Sequence, residues 1–162
     1  MFLDRILRYI LKKRSNSNTF LFTLGYEGLK TDDLISHLKQ KNVEILVDVR
    51  EIPWSRKRGF SKSQLEAILQ KHGIRYVHMK KLGSPSAIRK RVKEESNYDY
   101  FFNAYKNYVA TQIDELKNLQ RMTEKAVCCL MCYERNVEMC HRKIIASEVK
   151  RIDNNGLKVV HL

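Results

Sequence analysis

After position 18, short apolar runs alternate with longer stretches in which apolar residues recur every three or four positions. The short runs predict strands, and the longer stretches predict amphipathic helices. Strands and helices that alternate in this way are typical of a mostly parallel sheet covered by helices on both faces. We therefore predict an α/β fold, a single three-layer domain over residues 19–162. The predicted strands are 19–24, 43–49, 74–78, 126–132 and 157–161, and the predicted helices are 32–40, 61–71, 99–119 and 137–152.

Residues 1–18 precede this alternation and form a separate segment. Apolar residues between Phe2 and Leu11 repeat at helical spacing and are interrupted by arginine and lysine, which predicts a short amphipathic helix with a basic outer face. Ser15-Asn16-Ser17-Asn18 then reads as a linker. We expect the helix to pack on the domain or on a second copy, giving a homodimer, with docking on a membrane or nucleic acid as the alternative. Because charged residues interrupt its apolar run, we expect neither a membrane span nor a signal peptide.

Composition narrows the class of protein. With 43% hydrophobic and 30% charged residues the chain can bury a core, and its net charge of +13 with a pI near 9.7 favours a partner that carries phosphates, a nucleotide or nucleic acid. The four cysteines lie close together between Cys128 and Cys140, whereas a disulfide-stabilised secreted domain would spread them along the chain. We therefore expect reduced thiols and a cytoplasmic protein.

In an open parallel sheet, ligands bind beyond the carboxyl ends of the strands. The residues that follow each predicted strand are unusually rich in groups that can bind or react, so we expect them to converge in one pocket. The first such segment is the loop from Gly25 to Gly28, whose glycines would let Tyr26 and Glu27 approach a ligand closely. An ordinary turn with a solvated glutamate is the alternative.

The second segment combines cations with flat apolar groups. Asp48 and Arg50 alternate on one strand and project to the same face. Ser55, Arg56 and the cations beside them are interleaved with aromatic residues, a composition suited to phosphate contacts and base stacking. The alternatives are an internal salt bridge, solvated charges and a packed tryptophan.

The cysteines have the Cys-x-x-Cys spacing of a metal site at 129–132. In a strand, side chains three apart point to opposite faces, so we expect Cys128 and Cys129 to be core residues. Cys132 ends the strand, where Cys140 and His141 could return to it. We expect reduced free cysteines and no structural zinc, because only these three ligands can approach one another.

Around this strand end, Glu134 and Arg142 add a carboxylate and an anion-binding guanidinium near a predicted helix start. Three chemistries stay open: hydrolysis assisted by a carboxylate, nucleophilic catalysis by cysteine, and metal binding. A cluster that only pins the helix to the sheet is the structural alternative.

Three ordered motifs resemble a known family. Thr-Leu-Gly-Tyr-Glu-Gly at 23–28, Asp-Val-Arg-x-x-Pro-x-Ser-Arg at 48–56, and Cys132-x-Glu134 followed by Cys-His-Arg at 140–142 resemble the bacterial and archaeal family called domain of unknown function 488. The resemblance covers about 23–162. It implies an intracellular α/β domain with these motifs at one site, and no established activity. One departure is Ser84, where the pattern has a glycine, which accepts a positive φ more readily.

These observations favour a small enzyme that acts on a nucleotide or nucleic acid, with hydrolysis of an N-glycosidic bond as one example. A non-catalytic nucleic-acid-binding module is the first alternative, and a thiol-redox or metal protein built on Cys132, Cys140 and His141 is the second. We expect no cofactor and no metal. The expected catalytic residues are Glu27, Glu134, Cys140 and His141, and the expected substrate- or phosphate-binding residues are Tyr26, Asp48, Arg50, Ser55, Arg56 and Arg142.

Overall fold

The computed structural model describes residues 19–154 and 156–162. The helix predicted within residues 1–18 lies outside the described residues. Five strands form one all-parallel sheet in the order β3-β2-β4-β1-β5, which confirms the predicted α/β fold. The strands are β1 (Phe20–Gly25), β2 (Ile45–Asp48), β3 (Arg75–His78), β4 (Cys128–Cys132) and β5 (Lys158–His161).

Helices cover both faces of the sheet. Buried residues of α1 (Thr31–Gln40) and α2 (Lys62–Lys71) share one apolar core with the sheet. Those of α4 (Tyr98–Ala110), α5 (Ile113–Lys125) and α6 (Arg142–Ile152) share the other. The sheet is therefore the middle of three layers, as predicted.

The segment between β3 and β4 differs from its prediction. The single helix expected over 99–119 is two helices, α4 and α5, which separate where Thr111 bonds its hydroxyl back to the Tyr108 carbonyl, a side-chain bond that competes with the helical ladder. A further helix, α3 (Ser86–Glu95), was not predicted because its sequence is dominated by charge. Short 3₁₀ turns at Lys80–Leu82 and Val137–Met139 complete the elements of the described ranges.

Side-chain alternation in β4 matches the prediction. Cys128 and Cys132 belong to the core under α4, α5 and α6, whereas Cys129 belongs to the opposite core. Cys128 and Cys129 are fully buried, as expected of small core residues. The Cys-x-x-Cys pair therefore points to opposite faces and does not chelate.

The strand order places a crevice at the end of β4. The chain leaves β1 and β2 toward helices on one face, but it leaves β4, which lies between them, toward α6 on the other face. Neighbouring loops that depart to opposite faces open a gap at the carboxyl edge, where open α/β sheets bind ligands. Each helix within the described ranges is too short or too polar to span a lipid bilayer.

Candidate functional site

A cleft of about 820 Å³ opens at the carboxyl edge of the sheet. Its walls come from the loops after β1, β2 and β4 and from α3 and α4. The cleft therefore lies at the gap that the strand order opens beside β4. The residues that line it include Tyr26, Arg50, Trp54, Ser55, Arg56, Lys57, Ser84, Arg89, Cys132, Tyr133, Glu134, Cys140 and His141.

Arg50 forms part of the cleft floor and is oriented by Asp48. Its guanidinium donates from Nε and Nη2 to the two carboxylate oxygens at 2.6 to 3.1 Å, and Nη1 donates to the Tyr26 hydroxyl at 3.0 Å. Three of its five N–H groups have these partners among the described residues, which leaves two for a ligand. Burial would lower the pKa of Arg50, but the hydrogen bonds and negative charge of Asp48 raise it, so the side chain stays cationic.

Tyrosines hold this ion pair from both sides. The Tyr76 hydroxyl donates to Asp48 at 2.6 Å, and burial together with the neighbouring carboxylate raises the pKa of Tyr76. Tyr26 stacks on Phe60, with ring centroids 4.4 Å apart. Asp48 is fully buried and does not line the cleft. Its part is to fix Arg50.

The loop after β2 supplies the cleft's exposed rim. Trp54 is 64% exposed although it is a large apolar residue, and Arg56 is exposed beside it. The Ser55 hydroxyl accepts the Lys57 backbone N–H at 3.1 Å, which shapes the loop. The Lys57 ammonium donates to the Tyr26 carbonyl at 3.3 Å and so ties this loop to the one after β1.

Two thiols and an imidazole meet at the end of β4, in the lining of the cleft. His141 Nδ1 lies 3.8 Å from the Cys132 sulfur and 3.9 Å from the Cys140 sulfur, and all three residues are buried. His141 Nε2 is 2.8 Å from the Val49 carbonyl, an oxygen that can only accept, so Nε2 carries a proton. The predicted return of Cys140 and His141 to the end of β4 is confirmed.

The two thiols are unequal. Burial would raise the pKa of Cys140, but a hydrogen bond from Cys132 and the nearby His141 and Arg142 lower it well below its usual range. The same hydrogen bond and burial raise the pKa of Cys132. Cys140 is therefore the more acidic thiol of the pair.

The two glutamates expected to act together occupy different places. Glu134 lines the cleft. Burial raises the pKa of its carboxyl, and the nearby Cys140 and Glu27 raise it further. Glu27 is not among the lining residues, and its carboxylate accepts the Arg135 backbone N–H at 3.1 Å. Glu27 thus supports the loop that carries Glu134.

Arg142 also lies behind the cleft. It is fully buried, and its guanidinium donates to the backbone carbonyls of Glu134 and, at 2.9 Å, Arg135. Its Nε donates to the Thr23 hydroxyl at 3.3 Å. These contacts hold the loop after β4 and the start of α6 against β1. Arg142 thus has a structural role of the kind that we named as the alternative to anion binding.

Seven predicted site residues therefore share the cleft, and three lie behind it. The lining ones are Tyr26, Arg50, Ser55, Arg56, Glu134, Cys140 and His141, whereas Glu27, Asp48 and Arg142 are behind. Sequence reasoning missed Tyr76 and the Val49 carbonyl. Of these, only Tyr76 carried a signal, as a hydroxyl on a predicted strand.

Two glycines permit the backbone crossings around the cleft. A Cβ on Gly25 would lie 1.8 Å from the Glu134 carbonyl oxygen, and one on Gly83 would lie 2.3 Å from the Glu51 nitrogen. Ser84, the departure from the family pattern, has no positive φ, so a serine fits its backbone. Its buried hydroxyl lines the cleft and has no hydrogen-bond partner within the part of the chain that the structure describes.

The fold and the cleft define a class: an open, all-parallel α/β protein with its candidate site at the switch point of the sheet. Within that class, the chain belongs to the family described as Domain of unknown function DUF488, whose family model matches residues 30–149. This confirms the resemblance, although the matched range begins after the Gly25–Gly28 loop. Comparison with curated proteins and with solved structures finds no match.

Proposed function

We propose that the protein is an enzyme that acts on a nucleotide or a nucleic-acid strand bound in the cleft. The observation that carries this proposal is the pairing of a pre-oriented arginine with an exposed aromatic rim in one cleft. Arg50 has two N–H groups left for a ligand, and Trp54 exposes its ring nearby. Together they match a ligand that has both phosphate and a flat base.

The charges available to an anion can be counted along the cleft. Arg50 is balanced by Asp48, and Arg89 is paired with Glu51 at 2.7 Å. Arg56 and Lys57 have no carboxylate partner among the described ion pairs, so they supply the uncompensated positive charge. A phosphate between these cations and Arg50 would gain charge-assisted hydrogen bonds, which are stronger than neutral ones.

The loop after β4 supplies groups that could react. Glu134 lines the cleft near Cys140 and His141. The buried Ser84 hydroxyl has no hydrogen-bond partner among the described residues, and a polar group of a ligand could supply one. A carboxylate within reach of a bound ligand is a candidate general acid or base. Glu134 is therefore the residue we assign to proton transfer, in an N-glycosidic hydrolysis or a related reaction.

Trp54 makes the binding step directly measurable, because it is the protein's single tryptophan and lies at the cleft rim. Titration with nucleoside monophosphates and with single-stranded oligonucleotides should change its fluorescence. Affinity for the oligonucleotide should fall steeply with added salt, because bound cations release condensed counterions. Arg56→Gln should weaken binding, whereas Arg121→Gln, an exposed arginine on α5, should not.

Turnover is tested separately with the nucleotides or oligonucleotides that bind. Product analysis by chromatography should show conversion by the parent protein and its loss in Glu134→Gln with binding retained. Binding without conversion by the parent would favour the non-catalytic nucleic-acid-binding module. No change in Trp54 fluorescence with any of these ligands at low salt would refute the proposal.

A further inference from the structure

Three metal-ligating atoms converge on one wall of the cleft. The Cys132 and Cys140 sulfurs and His141 Nδ1 all lie within 4.8 Å of one another. Zinc bonded at about 2.3 Å to sulfur and 2.0 Å to nitrogen holds neighbouring ligands of a tetrahedron about 3.5 Å apart. The observed sulfur–nitrogen distances of 3.8 and 3.9 Å need to close by only a few tenths of an ångström.

The imidazole is already held in the orientation that a metal requires. Because His141 Nε2 donates to the Val49 carbonyl at 2.8 Å, Nδ1 is directed at both sulfurs. Metal-binding histidines characteristically donate their other ring N–H to a backbone carbonyl or carboxylate in this way. The Tyr105 ring packs edge-on against the imidazole at 5.1 Å and limits its rotation.

The donor set and its burial select the metal. Two thiolates and one imidazole are soft and borderline ligands, which suit zinc and do not suit magnesium or calcium. Two thiolates and a neutral imidazole also cancel the charge of a divalent ion. A neutral complex is the form that the buried surroundings of Cys132 and Cys140 accept at least cost.

We propose that Cys132, Cys140 and His141 bind one zinc ion, with the fourth coordination position facing the cleft. Three protein ligands and an open position are the arrangement of catalytic zinc sites, in which the ion polarises a bound water or substrate oxygen. It develops the metal-binding alternative, whereas our sequence-based expectation was free cysteines without a metal. The inference does not depend on a nucleotide ligand.

The test uses the full chain, purified without a metal-affinity tag and kept reduced. Elemental analysis after incubation with Zn²⁺ and gel filtration should find about one zinc per chain. Titration against a competing chelator should show that Cys132→Ser, Cys140→Ser and His141→Gln each weaken zinc binding more than about 100-fold. Cys128→Ala is the matched control, because that cysteine lies on the same strand outside the cluster, and its zinc affinity should match the parent's.

Cobalt substitution of the unaltered protein gives a readout that does not depend on how the variants fold. Co²⁺ should produce a thiolate-to-metal charge-transfer band and the visible bands of a tetrahedral site. The proposal is overturned if the reduced parent binds neither ion, if Cys132→Ser keeps parental zinc affinity, or if rapid alkylation finds a Cys132–Cys140 disulfide in cells. Trp54 titrations with and without zinc report nucleotide binding separately, so failure of either proposal is recognised independently.

Discussion

The buried pair of Asp48 and Arg50 gives the sharpest prediction about stability. Arg50→Gln removes the cation and leaves the Asp48 carboxylate, which is fully buried, without its charge partner. At an effective dielectric constant of about 20, opposite charges about 4 Å apart attract by about 4 kcal/mol. Breaking a buried pair on one side costs about 3–5 kcal/mol, because an uncompensated charge stays behind. For a chain of this size that corresponds to a fall in Tm of about 6–20 °C.

The opposite single change should cost less. Asp48→Asn leaves Arg50 charged, but Arg50 lines the cleft, where water can solvate it. We expect a loss of about 1.5–3 kcal/mol, the range for a hydrogen bond to a charged group. The double variant Asp48→Asn/Arg50→Gln has no buried charge at this position. Its cost should fall short of the sum of the single costs by about 0.5–3 kcal/mol.

Urea unfolding followed by far-ultraviolet circular dichroism measures these values, since the exposed Trp54 is a poor probe of the core. The m-value should stay constant across the four proteins, so that the midpoints report stability alone. A cost below about 1 kcal/mol for Arg50→Gln, or strictly additive costs in the double variant, would contradict the reasoning. Either result would mean that Asp48 and Arg50 do not act as a buried charge pair in the folded protein.

Three further predictions concern the frame of the cleft. Gly25→Ala should destabilise the protein by about 1–3 kcal/mol in urea unfolding, because the added Cβ would collide with the Glu134 backbone. Gly73→Ala is the control for backbone strain alone, because Gly73 has a positive φ but a Cβ there would meet no neighbour. Burial would raise the pKa of Glu51, but hydrogen bonds from Ser86 and Arg89 lower it below the ordinary value of 4.5. The ionised Glu51 therefore contributes stability above pH 4.5, and this contribution is lost as the pH falls through the lower pKa of the folded protein. In acid titrations, Arg89→Gln should make this loss smaller, and an unchanged profile would refute the assignment. Tyr105→Phe should cost about 1–3 kcal/mol, because its hydroxyl is the partner of a buried carbonyl at 2.6 Å, and a neutral result would show that water replaces it.

The strands and the location of the site could be predicted because both follow from local pattern. Period-two alternation in β4 fixed which cysteines enter each core, and parallel strands bring their carboxyl ends to one edge. The helix α3 escaped prediction because charged residues dominate its sequence, so apolar periodicity gives no signal there. The break between α4 and α5 lies where Thr111 and Gln112 bond to carbonyls three residues back, a local turn that apolar periodicity does not register.

The direction of individual side chains was the part that sequence could not supply. Arg142 and Glu134 belong to the same predicted cluster, yet one is fully buried beneath the loop and the other lines the cleft. The difference arises because Arg142 reaches backbone carbonyls of the loop after β4, a contact that exists only once that loop crosses Gly25. Spacing along a helix start does not encode such a crossing.

The position of β4 determines how late in synthesis the sheet can assemble. β1 and β2 do not pair with each other, and β4, which pairs with both, begins only at Cys128. A nascent chain on the ribosome therefore carries three strands with open hydrogen-bonding edges until most of the sequence has emerged. Such edges attract other chains, so this is the stage at which chaperones would protect the protein from aggregation. The strand that joins β1 to the β2-β3 pair is also the one that carries Cys132, so the cleft forms in the same late event as the central sheet.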